Sequence, residues 1–103
     1  HGRIKDMLKV GGENVAALEI ESFLSKHPAV QLAQVIGRED ERLQEVPIAF
    51  IELSPGQEAS EAQLIEFCKG ALASFKVPRA IYFVQEWPMS STKVQKFRLR
   101  ALI

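Results

Sequence analysis

The chain has 103 residues, 47% of them apolar and 25% charged, with 13 basic and 13 acidic side chains and no net charge. That is room for one small domain around one core. Zero net charge excludes a general attraction to nucleic acid or to a membrane surface, and a single cysteine, Cys68, excludes an internal disulfide or a cysteine zinc site.

Residues 3–9 alternate basic or polar with apolar side chains, the pattern of a half-exposed strand. Gly11-Gly12 then predicts a turn, because two glycines remove the penalty for positive φ. Asn14 is placed to cap a helix running from about Ala16 to Lys26, with Ala17, Ile20, Phe23 and Leu24 on its apolar face. Glu19 and Glu21, two apart, point to different sides of that helix and are expected in solvent. His27-Pro28 stops the helix, with His27 at its end. Ala29 to Gly37 reads as a strand, residues 38–45 as a charged loop, and Val46 to Leu53 as a second strand. Pro47 predicts an edge or first-residue position there.

Residues 54–59 form a turn. Ser60 and Gln63 make a capping box for a second helix carrying Leu64, Ile65, Phe67, Cys68, Ala71, Leu72 and Phe75, which ends before Val77-Pro78. Arg79 to Trp87 is a third main strand. A Ser/Thr-rich loop follows, and Val94, Phe97 and Ala101 repeat at the spacing of a short helix. The expected fold class is α+β: a small mixed sheet of about three main strands plus an N-terminal hairpin, helices over one face, and a C-terminal arm carrying Lys93.

The chain lacks a Walker loop, a nucleophile elbow and any metal-ligand pattern around His1 or His27. Three stretches nonetheless stand out. "GRIKDMLKVGGENVAALEIES" (2–22) resembles the Gly-Arg-x-x-Asp-x-(Ile/Leu)-Lys…Gly-x-Asn…Glu-Ile-Glu motif that opens the C-terminal domain of the adenylate-forming superfamily, which includes acyl- and aryl-CoA synthetases. "ASFKVPR" (73–79) resembles the segment closing that domain's second helix. "WPMSSTKVQKFRLR" (87–100) resembles its closing Pro-x-(Thr/Ser)-x-(Thr/Ser)-Gly-Lys-(Ile/Val)-Gln-Lys…Leu-Arg motif. The wording leans toward bacterial fatty acyl-CoA ligases.

The resemblance implies that residues 1–103 are a mobile lid, a fragment of an AMP-forming acid–thiol ligase whose large N-terminal domain is its partner and holds most of the ATP, AMP, Mg²⁺ and acid contacts. The parent would activate a carboxylic acid, by motif wording a fatty acid, to acyl-AMP and pass it to coenzyme A; the fragment alone would be inactive. Residue by residue, Arg3 matches the contact to the AMP ribose, Lys5 the hinge, and Gly11, Gly12, Glu13 and Asn14 the loop that lines the pantetheine tunnel. Lys93 matches the catalytic lysine. Lys96 is the alternative, since Thr92 stands where the family has glycine and the loop is a residue short. No apolar run reaches the ~20 residues of a membrane span and no signal peptide is visible, so a cytoplasmic setting is expected. A competing reading remains. Lys93, Lys96, Arg98 and Arg100 alternate with Val94, Phe97 and Leu99, as in a basic arm of a nucleic-acid-binding or protein-interaction module.

Overall fold

The alternating stretch around residue 8 does form a strand, β1 (Met7–Val10), in which Leu8 and Val10 are buried and Met7 and Lys9 exposed. The computed structural model describes residues 7–90, 93, 94 and 96–102, and of residues 89, 90, 93, 94 and 97 the backbone alone. Gly11 and Gly12 turn the chain with φ of +56° and +88° into β2 (Glu13–Ala16), pairing Val10 with Glu13. Two successive positive φ values match the right-handed twist of a two-residue hairpin. The helix starts within one residue of its expected position, but Asn14 does not cap it, and it ends at Leu24 rather than Lys26. α1 is Ala17–Leu24, and its N-cap is Ala16 with no side-chain cap. Asn14 lies inside β2, where its Oδ1 accepts from Lys9 Nζ at 3.1 Å instead of capping.

α1 buries Ala17, Ile20 and Leu24, one face of a helix at i, i+3 and i+7. After it, His27 Nδ1 accepts from Ala29 N at 3.1 Å, and the ring packs edge-on to Phe67. The next strands are longer than their composition indicates: β3 is Val30–Asp40 and β4 is Gln44–Leu53. Arg38, Glu39 and Asp40, expected in a loop, pair with Val46, Glu45 and Gln44. A cross-strand ladder overrides the low strand preference of charged side chains. Only Glu41, Arg42 and Leu43 turn, held by Asp40 Oδ2, which accepts from Arg42 N (3.1 Å) and Leu43 N (2.9 Å).

Pro47 is neither at the edge nor first in its strand. It pairs with Gly37 inside the central β4. In an extended strand a residue's N and C=O face the same side. The Pro47 carbonyl accepts from Arg79 N at 2.9 Å, away from β3. Its hydrogen-free nitrogen therefore faces the side where β4 changes partners, between β1 at Gln44 and β5 from Ile48.

The Ser60 capping box forms as expected: Gln63 N donates to Ser60 Oγ (3.1 Å) and Ser60 N to Gln63 Oε1 (2.9 Å). α2 covers only Glu61–Cys68. Gly70 at φ +84° breaks the helix, so Ala71, Leu72 and Phe75 lie beyond it; Leu72 and Phe75 still pack on the core, with a 3-10 turn at Ser74–Lys76. β5 (Ala80–Phe83) then runs parallel to β4. A two-stranded ladder follows, β6 (Met89–Ser90) with β7 (Lys93–Val94), and α3 (Lys96–Leu99) closes with a 3-10 turn at Arg100–Leu102. The ladder replaces part of the expected arm.

The main sheet is mixed and five-stranded, in the order β2-β1-β4-β3 with β5 also on β4. The expected α+β class holds, but both faces are covered. Val35, Ala49 and Ile51 face α1 and α2, whose Phe23 and Phe67 rings stack at 4.7 Å. Ile36, Val46, Ile48 and Phe50 face the other way beside Tyr82 of β5, and pack with Trp87 and Leu99 of the C-terminal stretch. Strand alternation sends neighbours to opposite faces, so β4, apolar and buried at every position from Val46 to Ile51, needs two covers.

Candidate functional sites at two edges of the sheet

Gly11, Gly12, Glu13 and Asn14 lie together at the tip and second strand of the β1–β2 hairpin. Glu13 and Asn14 are exposed, and a side-chain carbon added at Gly12 would meet nothing within 4 Å. This tip is open to a passing ligand but well supported beneath. Gly11 N donates to Leu43 O at 2.7 Å, Lys9 N donates to Glu45 Oε1 at 2.9 Å, and Lys9 Nζ reaches Asn14. A side-chain carbon at Gly11 would lie 3.1 Å from Leu43 Cδ2. The β3–β4 turn is thus the floor of the glycine tip. Sequence reasoning, which treated residues 38–45 as a solvated loop, missed Asp40, Leu43 and Glu45 in this supporting role.

Lys93 lies in the β6–β7 ladder, where its backbone pairs with Ser90 and Met89 pairs with Val94. Both ends of the ladder are fastened. Before it, Trp87 packs on the second-face cluster and its Nε1 donates to Glu52 Oε1 at 2.8 Å. After it, Leu99 is fully buried in the same cluster. Lys96 turns into the domain: its Nζ donates to Val35 O at 3.1 Å and pairs with the carboxylate of Glu21. Glu21 Oε2 also accepts from Val35 N at 2.8 Å. Glu21 is therefore no solvated surface charge, and the basic alternation expected along the arm loses Lys96 to an internal contact. Glu19 stays on the exposed face as expected, in a surface pair with Lys76 at 3.0 Å.

The two candidate sites have different anchors among the described residues: the glycine tip rests on Leu43 and Glu45 at the β3–β4 turn, and the lysine ladder is tied through Lys96 to Val35. The base of the ladder is fastened at Val35 on β3, and the glycine tip belongs to β1 and β2. Arg3 and Lys5, expected at the ribose and the hinge, lie outside the described residues, as do the side chains of Lys93, Val94 and Phe97. Among the described residues no group of three or more His, Cys, Asp or Glu is placed to hold a metal ion. Cys68 is buried, and burial pushes its thiol from 9.0 up to about 11, the behaviour of an inert core residue.

Residues 19–94 match the family model described as the AMP-binding enzyme C-terminal domain. Over 100 residues the chain is 49% identical to a medium-chain acyl-CoA ligase, ACSF2, mitochondrial, from Danio rerio, covering 96% of this chain and 16% of that protein. The fold superposes on apo MatB from Rhodopseudomonas palustris with a TM-score of 0.90 at 37% identity, covering 98% of this chain and 20% of that one. It also superposes on the anthranilate CoA ligase AuaEII in complex with anthranoyl-AMP, with a TM-score of 0.82 at 46% identity over 94% of this chain and 20% of that one. The chain thus spans about a sixth of the length of the curated relatives it matches.

Proposed function

The chain belongs to the family of AMP-binding enzyme C-terminal domains, and from that premise we propose that it is the small lid domain of a longer AMP-forming acyl-CoA ligase. In this reading a carboxylate attacks the α-phosphate of ATP, giving acyl-AMP and pyrophosphate. The thiol of coenzyme A then displaces AMP. The acid is a fatty acid by motif wording, and the named medium-chain ligases support that substrate class. Cytoplasmic residence belongs to the same proposal. No described helix is long and apolar enough to cross a membrane, and a relative named as mitochondrial indicates that another aqueous compartment suits the same domain.

The observation that carries the reading is that two differently built candidate sites have separate anchors in one small body, Gly11 on Leu43 and Lys96 on Val35. The lysine ladder serves adenylation. There two anions must meet while charge builds on phosphorus, and an ammonium group bridging their oxygens offsets the repulsion. At ~4 Å and an effective dielectric of ~20 one such contact is worth about 4 kcal/mol before desolvation. The glycine tip serves the thiol step: with no side chain it lets a thin pantetheine arm pass close to the backbone. Arg3 contacts the ribose and Lys5 is the pivot that exchanges the two sites. Mg²⁺ would neutralise phosphate charge when bound, with its ligands coming from the ATP and the large domain.

Replacing Lys93 in the full-length parent tests this. Lys93→Ala is expected to lower acid-dependent pyrophosphate release by ~10²–10³, the loss typical of a single charge-stabilising group. Thioester formation from supplied acyl-AMP should be largely spared. An equal loss in both steps would reduce Lys93 to a folding role.

A further inference from the structure

We propose that Glu21 and Lys96 are positioning residues for Lys93, a clamp that fixes where the lysine ladder starts; the inference rests on the reading of Lys93 above. β3 ends the strand path, so among the described residues one side of its backbone lacks a strand partner. At Val35 two side chains take that partner's place. Glu21 Oε2 accepts from Val35 N at 2.8 Å, Lys96 Nζ donates to Val35 O at 3.1 Å, and the two side chains pair with each other. Their side chains are only 13% and 23% exposed, so the contact is partly withdrawn from water.

Lys96 is the first residue of α3 and stands three residues after Lys93. The clamp therefore ties the outgoing end of the ladder to helix α1 and to the edge of the main sheet at once. Leu99 supplies the apolar part of the same anchorage, and Trp87 with Glu52 holds the incoming end. Apolar burial alone is non-directional. A charged pair that spans one residue's N–H and C=O fixes direction and register. Catalytic groups need that, because about 1 Å of misplacement costs up to ~10²-fold in rate. The glycine tip makes none of these contacts, so the clamp acts on one half-reaction only.

The test uses the full-length parent with Lys96→Met, Glu21→Gln and Lys96→Arg, beside Lys93→Ala. Lys96→Met and Glu21→Gln are expected to lower kcat for adenylation ~10-fold at unchanged KM for ATP and acid. Both should leave thioester formation from supplied acyl-AMP within about twofold, and Lys96→Arg, which keeps a cationic donor, should restore adenylation. Should Lys96→Met fold poorly, Glu21→Gln still carries the test, because it keeps an acceptor for Val35 N. Unchanged adenylation in Glu21→Gln, equal loss in both half-reactions, or Lys96→Arg as defective as Lys96→Met would overturn the clamp. If Lys93→Ala itself is harmless, it is the reading of Lys93 that falls. Harm from Lys93→Ala beside normal clamp variants removes only the present inference.

Discussion

Glu19 and Glu21 sit two residues apart on the same helix with the same side chain, yet the fold uses them differently. Glu19 is 44% exposed in its pair with Lys76, and exposed pairs contribute ~0–1 kcal/mol. Glu19→Gln should therefore shift the urea midpoint by less than about 1 kcal/mol of stability. Glu21 holds a backbone N–H and a lysine that lie far off in sequence, and nothing in a local pattern of charges announces such contacts. Single residues with a local partner were legible: the Gly11-Gly12 turn and the Ser60–Gln63 box both stand where their chemistry places them. Asn14 was not, because a capping residue and a strand residue look alike until the strand opposite supplies Lys9. Cys68 permits a pH prediction. With its thiol raised by burial from 9.0 to about 11, the unfolded chain ionises first. Its contribution to stability should be intact below pH 9 and decline as pH rises toward 11. Alkylation of the native chain at pH 8 should be slow, and denaturant should release it.

Elements were readable where side-chain periodicity sets them and unreadable where pairing does. α1 follows from Ala17, Ile20 and Leu24. The length of β3 and β4 does not follow from Arg38, Glu39 and Asp40, whose extended conformation comes from the strand opposite. α2 looked longer because Leu72 and Phe75 continue its apolar series, but Gly70 at φ +84° redirects the chain and the same side chains reach the core from a different path. The cap at the other end of α2 can be tested alone. Ser60→Ala removes the acceptor for Gln63 N, and a loss of about 1 kcal/mol in chemical denaturation is expected, the usual cost of a lost N-cap. A loss near zero would mean that water satisfies the first turn equally well.

At the scale of the whole molecule, the sheet carries two candidate sites on separate anchors, and the C-terminal stretch is part of the fold as well as a carrier of Lys93. Leu99 is fully buried against Ile36, Val46, Ile48 and Phe50. Leu99→Ala should cost about 2–5 kcal/mol and lower the melting temperature while it loosens the lysine ladder. The family motifs made the two candidate sites legible before any coordinates. Their supports, the β3–β4 turn beneath Gly11 and the Val35 clamp behind Lys93, are long-range contacts that appear only once the strands are ordered. Two reciprocal variants measure the division of labour most directly. In the full-length parent, acyl-AMP formation and thioester formation are timed separately for Lys93→Ala and for Gly12→Leu. At Gly12 a side chain has open space, and positive φ costs it only ~1–2 kcal/mol. Lys93→Ala should slow the first step and Gly12→Leu the second. Both variants slowing the same step, or Lys93→Ala activating its acid at the unmodified rate, would contradict a two-edged lid.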